Sequence, residues 1–166
     1  METAVVADVF AGLLLAGAAA VFSCLFVPKL RPLLTRFGLA IAAVVAVGAT
    51  SGSLYFSEIA NFNPCEMCWI QRIFMYPLAL MLPIAAVRRD RHLIPYAIVV
   101  ASVGLGFSIY HSQLQLRPDQ STSCDLLNPC SAKWVEALGF ATIPVMAGIA
   151  FVLILAALAA NWRAPR

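Results

Sequence analysis

The sequence predicts an all-α integral membrane protein: a four-helix transmembrane bundle core with one additional N-terminal transmembrane helix. Of the 166 residues, 62% are apolar and only 11% are charged, whereas soluble domains average about half apolar and about a quarter charged. The apolar residues also fall into five runs, each long enough to cross about 30 Å of hydrocarbon as a helix. A soluble or nucleic-acid-binding domain is therefore excluded, and no stretch is long enough for a second domain.

The five runs predict the five membrane helices in order. They cover residues 9–27, 38–57, 69–87, 93–114 and 139–161. The start of the chain, METAVVAD, carries Glu2 and Asp8 and no Lys or Arg. This is the wrong polarity for a signal peptide, so we expect the first run to be retained as a helix.

The basic residues predict the orientation of the bundle. Most of the 11 Lys and Arg residues fall in the first link, the third link and the C-terminus, at Lys29, Arg31, Arg36, Arg88, Arg89, Arg91, Arg163 and Arg166. With five spans these three places share one side, which the positive-inside rule makes cytoplasmic. The net charge of +3 therefore reflects topology, and the loops after the second and fourth runs face outward.

Four of the five cysteines, Cys65, Cys68, Cys124 and Cys130, lie in or beside these two outward loops. Disulfides persist on that side of a membrane. The residues leave three interpretations open: structural disulfides, a four-thiolate zinc site, or a redox relay. Cys24, inside the first run, is interpreted as a small apolar filler.

The motif Asn-Pro-Cys occurs twice, at residues 63–65 and 128–130. The first copy predicts a helix start with Asn as N-cap, Pro at N1 and Cys65 at N2, where unpaired amides and the helix dipole favour a thiolate. A Cys-x-x-Cys loop is so short that it adds little as a structural disulfide, which favours electron transfer. The second copy predicts the same geometry for Cys130, at the start of a short segment that contains Trp134.

Arg72 follows Cys68 by four residues, so the two share one helix face. A cation costs about 2.5–3.5 kcal/mol at the centre of a bilayer, so Arg72 is expected either to reach the headgroups or to polarise an oxygen of a ligand beside Cys68. A quinone, a membrane-soluble two-electron acceptor, suits the second alternative. His111 and Gln115 also share a face, and we expect them to supply a second carbonyl contact or a proton, unless His111 only makes a helix-packing hydrogen bond.

Residues 65–77, CEMCWIQRIFMYP, resemble the signature of the DsbB/BdbC family of disulfide bond formation proteins. YHSQLQL at 110–116, Cys124-Asp125 and the pattern Trp134-x3-Leu-Gly-Phe-x3-Pro144 follow in family order. The resemblance covers about residues 38–161. It implies a four-helix bundle in a bacterial cell membrane that re-oxidises an extracytoplasmic thioredoxin-like (DsbA/BdbD-like) dithiol oxidase and passes the electrons to ubiquinone or menaquinone.

The resemblance also implies a role for each cysteine in the two loops. Cys124 takes the mixed disulfide with the partner. Cys130 then exchanges with Cys65, and Cys68 reduces the quinone. Among the polar residues of the bundle, Arg72 matches the quinone-contacting arginine of the family, and His111 aligns with its quinone-side histidine.

The sequence departs from the family pattern in two places. The first run lies outside the four-helix core, so we divide the chain into an N-terminal helix with its link (1–37), a four-helix domain (38–161) and a cytoplasmic tail (162–166). The second cysteine pair is spaced Cys-x5-Cys, closer than in the long-loop version, which leaves the order of exchange open. Two alternatives stand beside this interpretation: a quinone reductase similar to vitamin K epoxide reductase, and a disulfide-stapled membrane scaffold.

Overall fold

The computed structural model describes residues 2–117, 124 and 128–162, which form five α-helices. They are α1 (Glu2–Phe26), α2 (Arg31–Leu54), α3 (Glu66–Arg88), α4 (Ile94–Leu116) and α5 (Ile143–Trp162). Each helix is long and apolar enough to cross a membrane, and these described residues contain no strand. The predicted all-α membrane fold is confirmed. Asp125, Arg163 and Arg166, which the sequence interpretation used, lie outside the described residues.

Helices α2 to α5 form the bundle and α1 packs on its outside. Helix α2 packs against α3 and α5, and α4 packs against the same two helices, so the four helices close a ring. Helix α1 contacts only α2 and α5 among the described helices. The largest fully buried side chains come from all four helices of the bundle and include Leu34, Leu78, Ile94 and Phe151. Large apolar side chains also cover the outside, as expected for a surface in contact with lipid.

Glycines let the helix backbones approach one another. A Cβ atom on Gly38 would overlap the backbone oxygen of Ala157, and one on Gly104 would overlap the ring of Phe151. Small residues at such crossings are typical of membrane helices, whose association depends on close packing. Glycine at these two positions therefore brings α5 against α2 and α4.

Several helix ends differ from the predicted runs: α1 begins at Glu2 and not at residue 9, and the starts of α2 and α5 also differ, each with a local cause. Helix α2 begins at Arg31, seven residues before the predicted run, because a proline occupies its first turn and the preceding link is a single turn. Helix α5 begins at Ile143 and not at residue 139, because Leu138 and Gly139 both have positive φ, at 53° and 78°. At its outer end α2 continues into a π-helical turn, Tyr55–Ile59.

Candidate active site

The cysteine motif of α3 begins the helix, but the N-cap lies two residues later than predicted. Cys65 is the N-cap residue with extended backbone, and its carbonyl accepts the first helical hydrogen bond from Trp69 at 3.1 Å. The prediction that Asn63 is the N-cap and Cys65 lies at N2 is therefore wrong. The physical reason lies in the other loop: the Asn128 side chain donates to the carbonyls of Asn63 and Pro64, at 3.5 and 3.1 Å, and holds this segment outside the helix.

The second Asn-Pro-Cys copy does not start a helix. Cys130 lies in a turn, in which the amide of Ala132 donates to the carbonyl of Pro129 at 3.1 Å. The predicted repeat of the helix-start geometry is therefore wrong for this copy. Its asparagine instead joins the two motifs, because Asn128 donates its side-chain amide to the backbone of the first copy.

The four loop cysteines are present in two different redox states. Cys124 and Cys130 form a disulfide, whereas Cys65 and Cys68 are free thiols whose sulfurs lie 3.0 Å apart. All four belong to one cluster, in which Cys65 and Cys130 are buried. The disulfide removes two ligands from the four-thiolate zinc site that the sequence left open. Sulfur atoms of Cys65 and Cys68 and a ring nitrogen of His111 still lie within 4.8 Å of one another, a set that can bind a metal ion.

His111 lies between the two cysteine pairs. Its Nε2 atom is 3.6 Å from the Cys65 sulfur and 3.1 Å from the carbonyl oxygen of Cys130. Its Nδ1 atom is 3.0 Å from the side-chain nitrogen of Gln71. In the neutral tautomer whose Nδ1 accepts from the Gln71 amide, Nε2 carries the proton and directs it at Cys65 and Cys130. The imidazole is 1% exposed, so these contacts are shielded from solvent.

Cys65 is the better thiolate by position. A hydrogen bond from the Cys68 thiol lowers the pKa of Cys65 most, burial raises it, and the hydrogen bond and charge of His111 lower it again. The net pKa lies well below the ordinary value of a cysteine. The unpaired amides at the start of α3 act in the same direction.

Arg72 is held in place one turn deeper in α3. Its Nε atom donates to the hydroxyl of Ser53 at 3.0 Å, and a terminal nitrogen donates to the Ser53 carbonyl at 3.1 Å. The guanidinium also lies over the rings of Trp69 and Tyr76, 5.0 and 5.9 Å from their centres. These contacts fix the charge within the bundle on the face of α3 that carries Cys68. Arg72 thus has partners inside the protein. An arginine that only reached the lipid headgroups would not need these contacts, so they favour a role inside the bundle.

A partly open cavity of about 100 Å³ lies beside the Cys68 thiol. Its polar lining includes Cys68, Gln71, Arg72 and Ser53, and the rest is mostly apolar or aromatic. A mostly apolar cavity with a few convergent polar groups is the composition expected of a small-molecule site. The cavity therefore provides a place where a flat apolar ligand contacts a thiol and a guanidinium together.

His111 and Gln115 are placed differently from Arg72. Neither lines the cavity; His111 contacts the cysteines, and the side-chain amide of Gln115 donates to the carbonyl of Ala132 at 3.1 Å. The predicted contact of these two residues with a quinone stays untested, and the cavity geometry favours a role for His111 on the thiols.

Two residues of the site were not identified in the sequence. Gln71 is a second polar residue inside an apolar run, directly before Arg72, and such a residue requires a partner within the membrane. That signal was sufficient to find it. Ser53 lies among small residues of α2 and carries no comparable signal, because only the packing of α2 on α3 brings it to Arg72.

Comparisons with known proteins show which family the sequence resembles. The family model described as disulfide bond formation protein DsbB matches residues 35–161. Disulfide bond formation protein C of Bacillus subtilis is 47% identical over 114 residues, which are 68% of this chain and 83% of the relative. A probable disulfide formation protein of Deinococcus radiodurans is 46% identical over 128 residues, 71% and 84% of the two chains. No solved structure gives a significant match.

The redox activity follows from the family and the cysteines together. The relatives are disulfide formation proteins by name, and this chain places one disulfide and one dithiol in a single cluster at the end of a membrane bundle. It is a multi-pass membrane protein and a disulfide oxidoreductase. The chain belongs to the DsbB family of disulfide bond formation proteins.

Proposed function

We propose that this protein is a thiol:quinone oxidoreductase. It re-oxidises an extracytoplasmic thioredoxin-like dithiol oxidase, of the DsbA/BdbD kind, and passes the electrons to a membrane quinone, ubiquinone or menaquinone. One observation carries the proposal: Cys68 and Arg72 line one cavity, while Cys65 is joined through His111 to the loop that holds the second cysteine pair.

The first exchange takes place at the Cys124–Cys130 disulfide. A thiolate of the partner attacks Cys124, which forms a mixed disulfide and releases Cys130 as a thiolate. The second thiol of the partner then displaces Cys124, so the partner loses two electrons and two protons and the loop pair gains them. Cys124 suits this entry role because it is partly exposed whereas Cys130 is 2% exposed.

The second exchange takes place between the two pairs. A thiolate of the loop pair, Cys130 in the order the family implies, attacks the Cys65–Cys68 disulfide at Cys65 and releases Cys68. The remaining loop thiol, Cys124, then restores the Cys124–Cys130 disulfide and leaves Cys65 and Cys68 as a dithiol. The products of this step are an oxidised loop pair and a reduced Cys65–Cys68 pair, and the disulfide and the free thiols of the structure support that pairing. His111 contacts the sulfur of Cys65 and the backbone carbonyl of Cys130, so it can hold a proton beside Cys65 where the two pairs meet.

The cavity beside Cys68 suits a quinone. Its apolar lining matches the ring and tail, and the N–H groups of Arg72 and Gln71 match a ring oxygen. When bound, a quinone accepts two electrons and two protons from the dithiol and leaves as the quinol. Within the chain, Cys68 is the sulfur that lines the cavity, Arg72 orients and polarises the ring oxygen, and Cys65 closes the new disulfide.

The proposal includes the location and organisation of the chain. The basic links predict that both cysteine loops lie on the extracytoplasmic side, and the family implies a bacterial cell membrane. There the partner reaches Cys124 from water, while the quinone reaches Cys68 from lipid. The four-helix domain, residues 38–161, carries all the residues named in the exchange steps.

The experiment measures quinone reduction by the full-length protein in lipid nanodiscs. Dithiothreitol serves as the dithiol and a benzoquinone with a ten-carbon tail as the acceptor, with the uncatalysed rate subtracted. We expect Cys68→Ser to abolish turnover and Arg72→Ala to raise the KM for quinone while the KM for the dithiol stays constant. Cys24→Ser, a free cysteine outside the site, is the matched control and should be unchanged. Turnover near wild type in Cys68→Ser contradicts the proposal.

A further inference from the structure

Helix α1 precedes the region that the family model matches, residues 35–161, yet it reaches the cavity beside Cys68. Its side chains Phe10 and Leu14 line that cavity together with Cys68 and Arg72, and their four-residue spacing puts them on one helix face. We propose that α1 is a wall of the quinone pocket, in which Phe10 and Leu14 contact the apolar edge of the bound ring. This inference rests on the function proposed above and extends the pocket beyond the family core.

The face of α1 that carries Phe10 and Leu14 is the face that packs on the bundle. Ala7 and Ala11, on the same side, are 0% and 1% exposed and belong to a cluster with side chains of α5 and the outer end of α2. Their small size lets α1 approach closely. The other side is open, since Leu13 is 66% exposed. Neighbouring residues of α1 therefore differ sharply in whether they face the cavity or the lipid.

The ring of Phe10 is fixed close to the anchor of Arg72. It packs on Gly52, where an added Cβ would lie 3.3 Å from the ring. Its centre is 6.3 Å from that of the Phe56 ring. Gly52 directly precedes Ser53, whose hydroxyl and carbonyl hold Arg72. The apolar wall and the guanidinium are thus held by adjacent residues of α2.

The N-terminal end of α1 is joined to the loop before α5. A carboxylate oxygen of Asp8 accepts a hydrogen bond from the amide of Leu138 at 2.9 Å. Leu138 lies in the turn with positive φ that follows Trp134, and Trp134 also lines the cavity. Helix α1 and this loop therefore border the cavity as one connected unit.

This placement gives α1 a chemical consequence. In a bundle of four helices the side of the cavity between α2 and α5 would face lipid, whereas here Phe10 and Leu14 occupy it. Side chains in contact with a ring determine which ring sizes fit. Helix α1 should therefore influence quinone affinity and ring preference without changing the exchange with the dithiol.

The test uses the full-length protein in lipid nanodiscs, with dithiothreitol and two acceptors: a benzoquinone with a ten-carbon tail and the larger 2-methyl-1,4-naphthoquinone. We expect Phe10→Ala and Leu14→Ala to raise the KM for the benzoquinone about tenfold and the KM for the naphthoquinone less, because the larger ring fills the space released. Leu14→Trp should raise the KM for both quinones, and the KM for the larger naphthoquinone should rise more. Leu13→Ala and Leu13→Trp, on the lipid-facing side, are the matched controls and should resemble wild type.

Reduction of the Cys124–Cys130 disulfide by dithiothreitol, without quinone, is measured in each variant. If the Leu14 variants match the Leu13 variants, or if they lose this half-reaction together with quinone reduction, α1 is not a pocket wall. The outcome for Cys68→Ser separates the two proposals. If Cys68→Ser still reduces quinone, the proposed function itself is contradicted. If Cys68→Ser is inactive but the Leu14 variants behave like wild type, only the role of α1 is contradicted.

Discussion

Replacing His111 by Phe removes the imidazole whose Nε2 atom lies 3.6 Å from the Cys65 sulfur. The hydrogen bond and charge of His111 are two of the causes that hold the pKa of Cys65 below its ordinary value. The thiolate is therefore present above this lowered pKa and is lost as the pH falls through it. Without His111 that loss moves to higher pH, so we expect the reactivity of Cys65 to require a more alkaline medium.

The size of the shift follows from the interaction that is removed. A hydrogen bond to a charged group contributes about 1.5–3 kcal/mol, and one pKa unit corresponds to about 1.4 kcal/mol. We therefore expect the pKa of Cys65 to rise by about one to two units. At a pH below both values the thiolate fraction should fall about ten- to hundredfold, while the plateau rate at high pH stays the same.

The assay is the pH dependence of Cys65 alkylation by a small electrophile, in reduced protein without quinone, read by site-resolved mass spectrometry. His111→Gln should recover part of the shift, because its amide still donates. Gln115→Ala is the control on the same helix, since its amide contacts Ala132 and no cysteine. A pH profile of His111→Phe that overlays the wild-type profile would refute the assignment of His111 to Cys65.

Two further changes test the packing and the anchor of the site. Gly104→Ala places a Cβ against the ring of Phe151 and should cost about 1–3 kcal/mol of stability by overpacking, measured as a lower unfolding temperature in detergent. Gly106→Ala, where a Cβ meets nothing within 4 Å, is the control and should leave the unfolding temperature unchanged. Equal effects of the two substitutions would contradict the packing of Gly104 on Phe151. Ser53→Ala removes the hydroxyl that accepts from Arg72 at 3.0 Å and keeps the backbone contact. It should therefore raise the KM for quinone about two- to twelvefold, whereas an unchanged KM would show that the anchor is not needed.

The fold was predictable from the sequence because membrane insertion imposes a simple rule. Each span needs about 20 apolar residues, and the five runs satisfy that rule with polar breaks between them. The predicted start of α5 is wrong because hydropathy does not report backbone conformation. The apolar run begins at residue 139, but Leu138 and Gly139 have positive φ and form a turn, so the helix begins later, at Ile143. The predicted N-cap of α3 is wrong for a related reason: the N-cap is Cys65 because Asn128, more than 60 positions away, binds the backbone of Asn63 and Pro64.

Composition and helical spacing are local properties, so the amino-acid pattern alone indicates the class of the protein, the two cysteine pairs and the position of Arg72 one turn from Cys68. The packing of the helices determines that His111 contacts the Cys65 thiol and does not line the cavity, that Ser53 anchors Arg72, and that α1 lines the cavity. These contacts join residues from different helices. They depend on how the helices pack against one another. Because every helix has a similar apolar surface, the hydrophobic pattern does not specify which helix faces meet.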